Sequence, residues 1–133
     1  MSVLIFIDHA EGHIKKTSLE ALSYGVALAE QIGVSAEGIL LGTVQDDLTT
    51  FGAFGVKKIH QQAQVSLNVL DPEAYIRLIA GTMEKTGASV LVLSHTNTGR
   101  ALAPGLSAKL KAADFFLTSV RIKSRKPAFF MLA

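Results

Sequence analysis

Apolar and polar positions along the chain follow two rhythms. Val3-Leu4-Ile5-Phe6-Ile7 is an unbroken apolar run that stops at Asp8. Such a run suits a strand covered on both faces. After the polar stretch from Asp8 to Lys16, Leu19, Leu22, Val26 and Ala29 recur at helical spacing. Thr17 or Ser18 is expected to cap this helix by accepting hydrogen bonds from free amides. Gly33 is placed to end it. Ile39-Leu40-Leu41 reads as the core of a second strand, closed by Gly42. Asp46 to Phe54 suggests a short helix, and Lys57-Lys58-Ile59-His60 a short third strand near an edge. Asp71-Pro72-Glu73 is a helix start: Asp caps, Pro suits the first helical position, and Glu complements the dipole. Ile76, Ile79 and Met83 supply its buried stripe, and Gly87 ends it. Ser89 to Ser94 is a fourth strand. Arg100 to Lys111 is the next helix, with Pro104 expected in its first turns, where a missing N–H costs least.

Strands near 3–7, 37–42, 57–60 and 89–94 thus alternate with helices. That order predicts an α/β fold of three layers, a mainly parallel open sheet with helices on both faces and right-handed crossovers. The chain has 133 residues, about one domain's worth. It shows no internal repeat and no low-complexity segment. The run Pro127-Ala128-Phe129-Phe130-Met131-Leu132-Ala133 is apolar and strand-like. Either it pairs within the sheet or it belongs to a longer protein. Left exposed, it would be a sticky edge through which the isolated domain self-associates.

Composition narrows the class. Hydrophobic residues make up 49% of the chain, enough for a real core. No apolar run reaches the roughly 18 residues of a membrane span, and Val3 to Ile7 is too short for a secretory signal. Cysteine is absent, which excludes disulfides, thiol catalysis and cysteine-ligated metals. These features point to a soluble cytoplasmic protein, not membrane-embedded. The net charge of +2 is misleading until it is located. Residues 1–120 carry nine basic and eleven acidic residues, and the excess comes from Arg121, Lys123, Arg125 and Lys126. A nucleic-acid binder spreads basic residues over a face and interleaves aromatics. This segment does not, so no nucleic-acid partner is expected.

The stretch from Leu91 to Leu106 carries the most chemistry: an apolar strand, a polar turn, then Gly99-Arg100 and a helix. In an open α/β sheet this edge is where ligands sit. Thr96, Thr98, Gly99 and Arg100 are candidates for a small-anion site, since a helix N-terminus favours negative charge. The competing reading is that Thr98 caps the helix and Arg100 pairs with a carboxylate across an interface. No Walker A loop, dinucleotide fingerprint or Gly-x-Ser-x-Gly elbow occurs. His9 and His13 are four apart beside Asp8 and Glu11, but they lie in a loop without a clear third ligand, so they read as surface histidines and no metal site is assigned. His60 and His95 have no visible catalytic partner. Asp46-Asp47 reads as a helix start or a solvent-facing pair. Spacing identifies no catalytic set.

Taken together, three motifs resemble the N-terminal domain of the electron transfer flavoprotein alpha subunit family. They are Leu4-Ile5-Phe6-Ile7-Asp8-His9 with Gly12-His13-Ile14-Lys15-Lys16-Thr17-Ser18-Leu19-Glu20-Ala21-Leu22; then Gly55-Val56-Lys57-Lys58-Ile59; then Thr98-Gly99-Arg100-Ala101-Leu102-Ala103-Pro104 with Leu106, Ser107 and Leu110. The resemblance covers residues 2–120. Asp8 stands where the family often has Glu, Ala101 where an acidic residue usually follows Gly-Arg, and Gly105 where Arg is common. The family's alpha subunit is more than twice as long, and its C-terminal half carries most flavin contacts. The resemblance implies an adenine nucleotide alpha hydrolase-like fold, with residues 1–120 as the N-terminal α/β domain. Residues 121–133 would be a basic linker and a truncated apolar strand leading to the flavin domain. It further implies a heterodimer with a beta subunit, holding FAD and carrying electrons from dehydrogenases to a membrane quinone oxidoreductase. This domain would be scaffold and contact surface, an electron-carrier component and not an enzyme, with no FAD of its own. Two readings from other classes stand beside it. One is a small adenine-nucleotide-binding module using the 94–100 turn; the other is an enzyme of the same fold acting on an adenylate.

Overall fold

The computed structural model describes residues 2–94, 96–110, 113–116 and 128–132, the last two segments as backbone. The strands are β1 (Ser2–Ile7), β2 (His9–Ala10), β3 (His13–Ile14), β4 (Ser35–Leu41), β5 (Val56–Gln62), β6 (Ala88–Ser94), β7 (Ala113–Phe116) and β8 (Ala128–Leu132). The helices are α1 (Lys16–Ile32), α2 (Pro72–Thr86) and α3 (Asn97–Leu110), with 3-10 segments at Leu48–Phe54 and Val65–Asn68. Six strands form one sheet in the order β5-β4-β1-β6-β8-β7, and each pairing in it is parallel. The small β2–β3 hairpin stands apart. Among the described residues no helix is long and apolar enough to cross a membrane.

Strand β1 is buried from end to end because both faces of the sheet are covered. Val3, Ile5 and Ile7 point to one side and pack with Ala21, Leu22, Leu28 and Ala29 of α1. Leu4 and Phe6 point to the other and pack with Tyr75, Ile79 and Met83 of α2 and Leu102 and Leu106 of α3. This is the three-layer α/β arrangement that the alternation of apolar runs and helical stripes predicts. Two contacts are too close for a larger residue. A Cβ on Gly25 of α1 would lie 2.5 Å from Ile5 Cδ1, and one on Gly105 of α3 would strike Ile76 Cδ1 of α2. These glycines let α1 approach the sheet and α3 approach α2.

Several local expectations change. Neither Thr17 nor Ser18 caps α1: the cap position is Lys15, without a side-chain bond, and Ser18 is already inside the helix and fully buried. The stretch after β1 is not a plain loop, because Glu11 and Gly12 adopt left-handed backbone that reverses the chain into the hairpin. Helix α3 starts at Asn97, three residues earlier than expected, so Pro104 sits inside it, past the first turns. Segment Ala128–Leu132 lies between β6 and β7 and pairs with both. The exposed sticky edge expected there is therefore absent from that segment: its backbone is matched on both sides. The expected boundary at residue 120, the basic residues 121–126 and Pro127 and Ala133 lie outside the described residues.

Candidate functional site

The strand order creates one topological switch point. From β1 the chain moves outward through β4 to β5, then crosses by α2 to β6 on the other side of β1. Loops leaving the C-terminal ends of β1 and β6 therefore diverge, and a crevice opens between them, the usual ligand position in such sheets. Asp8, Lys15, Thr17 and Ser18 border it from β1 and α1, and Ser94, Thr96 and Asn97 from β6 and α3.

Among the described residues, most bonds at this crevice lie within its β1–α1 wall, and one spans the gap. The Asp8 N–H donates to Ser18 Oγ at 2.7 Å, and Ser18 Oγ–H donates back to the Asp8 carbonyl at 3.0 Å. Lys15 Nζ meets Asp8 Oδ2 at 2.7 Å, while Oδ1 accepts the His9 N–H at 3.0 Å. Across the gap, Ser94 Oγ–H donates to the Thr17 carbonyl at 2.9 Å. A buried polar group needs such partners, and here the protein supplies them itself.

The anion-site candidates can now be placed. Thr96 Oγ1 accepts the Gly99 N–H at 3.3 Å, so Thr96 takes the capping role expected of Thr98. Arg100 is exposed, and its Nη2 donates to Asn97 Oδ1 at 2.7 Å, within its own helix. Gly99 is buried and Thr98 half-buried. The four residues share one helix start but do not converge on a common point through these bonds. His95 lies outside the described residues.

A second cleft, about 450 Å³, lies over the ends of β1 and β4 and is lined by His9, Glu11, Gly12, Thr43, Val44, Gln45 and Asn68. His9 Nε2–H donates to the Leu41 carbonyl at 2.6 Å, which fixes its tautomer. Thr43 N–H donates to Asn68 Oδ1 at 2.7 Å. His13 turns to Asp46 Oδ1 at 3.3 Å, and Asp46 Oδ2 accepts the Ile14 N–H at 2.6 Å. The Ile14 amide, followed by the His13 hydrogen bond, holds the Asp46 carboxyl below its ordinary value. Asp47 alone plays the helix-start role, accepting from the Thr49 hydroxyl and amide, which lower its pKa in that order. His60 Nε2 lies 3.2 Å from Glu37 Oε1 on the neighbouring strand, a pairing that sequence spacing did not reveal. Tyr75 donates its hydroxyl to the Leu67 carbonyl, and burial, then the charges of Asp8 and Asp71, push its pKa up.

Among the described residues, Asp8 and Ser18 bond each other within the β1–α1 connection, Ser94 bonds the Thr17 carbonyl, and the one glycine in the first turn of α3, Gly99, gives its N–H to Thr96.

Comparison with known proteins agrees with this architecture. The chain is 28% identical over 109 residues to the acryloyl-CoA reductase electron transfer subunit beta of Anaerotignum propionicum, covering 81% of this chain and 30% of that protein. It is 27% identical over 139 residues to the electron transfer flavoprotein subunit alpha of Clostridium acetobutylicum, covering 96% of this chain and 40% of that one. The chain therefore spans well under half the length of these relatives. Among solved structures, the universal stress protein of Archaeoglobus fulgidus superposes with a TM-score of 0.55 at 11% identity, covering 98% of this chain and 92% of that one. A second structure of that protein, in complex with dAMP, gives 0.53 at 11% identity, covering 98% of this chain and 96% of that one. At that identity the likeness is one of fold. The family model described as the electron transfer flavoprotein domain matches residues 3–114, and the chain belongs to that family.

Proposed function

We propose that this chain is the N-terminal, alpha-type scaffold domain of an FAD-containing electron-transfer heterodimer. It supplies fold and contact surface and no flavin contacts of its own. Its partner is a beta-type subunit, and the assembled pair, itself cytoplasmic, carries electrons from dehydrogenases toward a membrane quinone oxidoreductase. The flavin supplies the redox chemistry when bound, and the polypeptide positions it. The observation that carries this reading is the internally bonded switch-point crevice. Ser94 bonds the Thr17 carbonyl across the gap, and Asp8, Lys15 and Ser18 satisfy one another within the β1–α1 connection, where a nucleotide module would present open donors. Family membership and the names of its relatives, which are electron transfer subunits, support the same role.

The test has two parts. The purified chain is incubated with excess FAD, desalted, and its visible spectrum recorded; no retained band is expected near roughly 450 nm, where bound flavins absorb. Titration calorimetry with AMP is expected to be silent. The chain is then co-expressed with the beta-type subunit from the same source, and the two are expected to co-elute. A stoichiometric flavin, or micromolar AMP binding through the 96–100 helix start, would overturn the scaffold reading in favour of a nucleotide-binding module.

A further inference from the structure

The most distinctive surface lies away from the crevice, along β5. Among the described residues this strand ends the sheet, with β4 as its partner on one side and its outer row of N–H and C=O groups open to another strand. Between β5 and α2 runs a groove of about 470 Å³. Lys58, His60 and Gln62 line it from alternate positions of the strand, one face at a period of two. Arg77 and Lys85 line it from α2, eight residues apart and so on one side of the helix. Gly81 sits midway between them, and a Cβ there would meet nothing within 4 Å, so the helix wall is open at that point.

Among the described residues that line the groove, three are cationic and none is Asp or Glu. Lys58, Arg77 and Lys85 have no carboxylate within ion-pair distance among the described residues; Glu37, the register partner of Lys58, leaves one negative charge on the neighbouring strand and bonds His60 at 3.2 Å. Lysines on an edge strand can simply discourage edge-to-edge pairing. Lys57 and Lys58 would suffice for that, whereas Arg77 and Lys85 come from another element and face the same space.

We propose that this groove docks an extended acidic segment of a partner polypeptide, added as a strand to the edge of β5. Main-chain hydrogen bonds to the edge would provide register, and alternate side chains of the incoming strand would fall into the groove. Its carboxylates would meet Lys58, Arg77 and Lys85. A second copy of this chain is the wrong occupant, because β5 carries Lys57 and Lys58 and no carboxylate to meet them. Residues 121–126 of this chain are basic and have the wrong sign. A nucleic acid would want stacking aromatics, and none lines the groove. The proposal shares no residue with the crevice and stands or falls separately from the scaffold reading.

The test is fluorescence anisotropy with the full chain and a labelled peptide of alternating Glu and Val. Binding is expected to weaken as salt rises. Charge reversal at Lys58→Glu, Arg77→Glu and Lys85→Glu together is expected to weaken it at least about tenfold, equivalent to about 1.4 kcal/mol. An N-methylated peptide of the same charge is expected to lose as much, because it cannot pair with a strand edge. Lys109→Glu on α3 is expected to change nothing. Should the triple reversal unfold the chain, amide shift mapping on the unaltered protein replaces it, with changes expected along Val56–Gln62. Equal binding of the N-methylated peptide, an equal loss with Lys109→Glu, or shifts confined elsewhere would overturn the proposal. So would tighter binding of a single-stranded oligonucleotide, or no binding up to about 1 mM, the weak end of measurable affinity.

Discussion

Removing the Ser18 hydroxyl tests whether the crevice is held by its own groups. Ser18 is fully buried within α1, and its Oγ both accepts from the Asp8 N–H at 2.7 Å and donates to the Asp8 carbonyl at 3.0 Å. In Ser18→Ala the carbonyl keeps a partner, because Lys15 N–H also donates to it at 3.1 Å. The Asp8 amide loses Ser18 and is left buried and unsatisfied. That costs about 1–3 kcal/mol. Alanine's better helix propensity returns about 0.5 kcal/mol. The net loss is about 0.5–2.5 kcal/mol, and for a domain of this size the melting temperature should fall by about 2–9 °C.

Ser23→Ala provides the matched control. Ser23 is exposed on the same helix, and its hydroxyl bonds only the Leu19 carbonyl one turn back. It gains the same propensity and exposes nothing, so its melting temperature should hold or rise slightly. Circular dichroism melts read both variants, and hydrogen exchange at the Asp8 amide reads the site directly, with exchange expected to quicken in Ser18→Ala alone. If the two variants melt together, the Asp8–Ser18 pair is not what holds the loop, and the internally bonded crevice loses its main support.

Two other predictions rest on different parts of the fold. Gly25→Ala places a Cβ 2.5 Å from the buried Ile5 side chain and should lower stability by about 1–2 kcal/mol despite better propensity. Gly81→Ala meets no atom within 4 Å and should raise it by up to about 1 kcal/mol; urea melts showing the same sign for both would contradict the packing. The Asp46 carboxyl is held low by the Ile14 amide and then by His13, so its contribution is present above its unfolded value of 3.8 and fades as pH falls through the lower folded value. Exchange at the Ile14 amide, followed by NMR from neutral to acid pH, should report this loosening after correction for intrinsic rates. Asp46→Asn should remove the dependence, and an unchanged profile in that variant would refute it.

How much was legible in the sequence differs by element. Three of the four expected strands stood out because each is covered on both faces and so reads as an unbroken apolar run, Val3 to Ile7, Ile39 to Leu41, and Val90 to Leu93, whereas Lys57 to His60 belongs to the largely exposed edge strand β5. Gly33 and Gly87 announced helix ends because both adopt the left-handed backbone that glycine accepts readily. Ser18 was misread for a physical reason. A hydroxyl near a helix start signals a cap, and nothing local says that it turns inward to a residue ten positions back. Thr96 and Thr98 offer the same hydroxyl two residues apart, so the sequence could not choose between them. The Glu37–His60 and Asp46–Ile14 contacts join distant residues, and they appear only once strand register and the hairpin are known.

Charge shows the same limit in a form that bears on function. Summed along the chain, residues 1–120 are slightly acidic, and the visible excess of positive charge sits at 121–126. Lys58, Arg77 and Lys85 do not stand out in that sum, since they lie in separate segments and only Lys58 has a basic neighbour, Lys57. The fold removes their separation. The crossover from β5 through α2 lays the helix beside the strand it has just left, so an edge strand and a helix face present their cations to one groove. Acidic residues elsewhere balance the total without entering that space. A partner meets the local field, not the sum, because charges beyond about 8–10 Å are largely screened at physiological salt. The surface that distinguishes this domain is therefore set by its topology: the Ser94–Thr17 bond spans the switch point between β1 and β6, while among the described residues the β5 edge is unpaired and carries lysines.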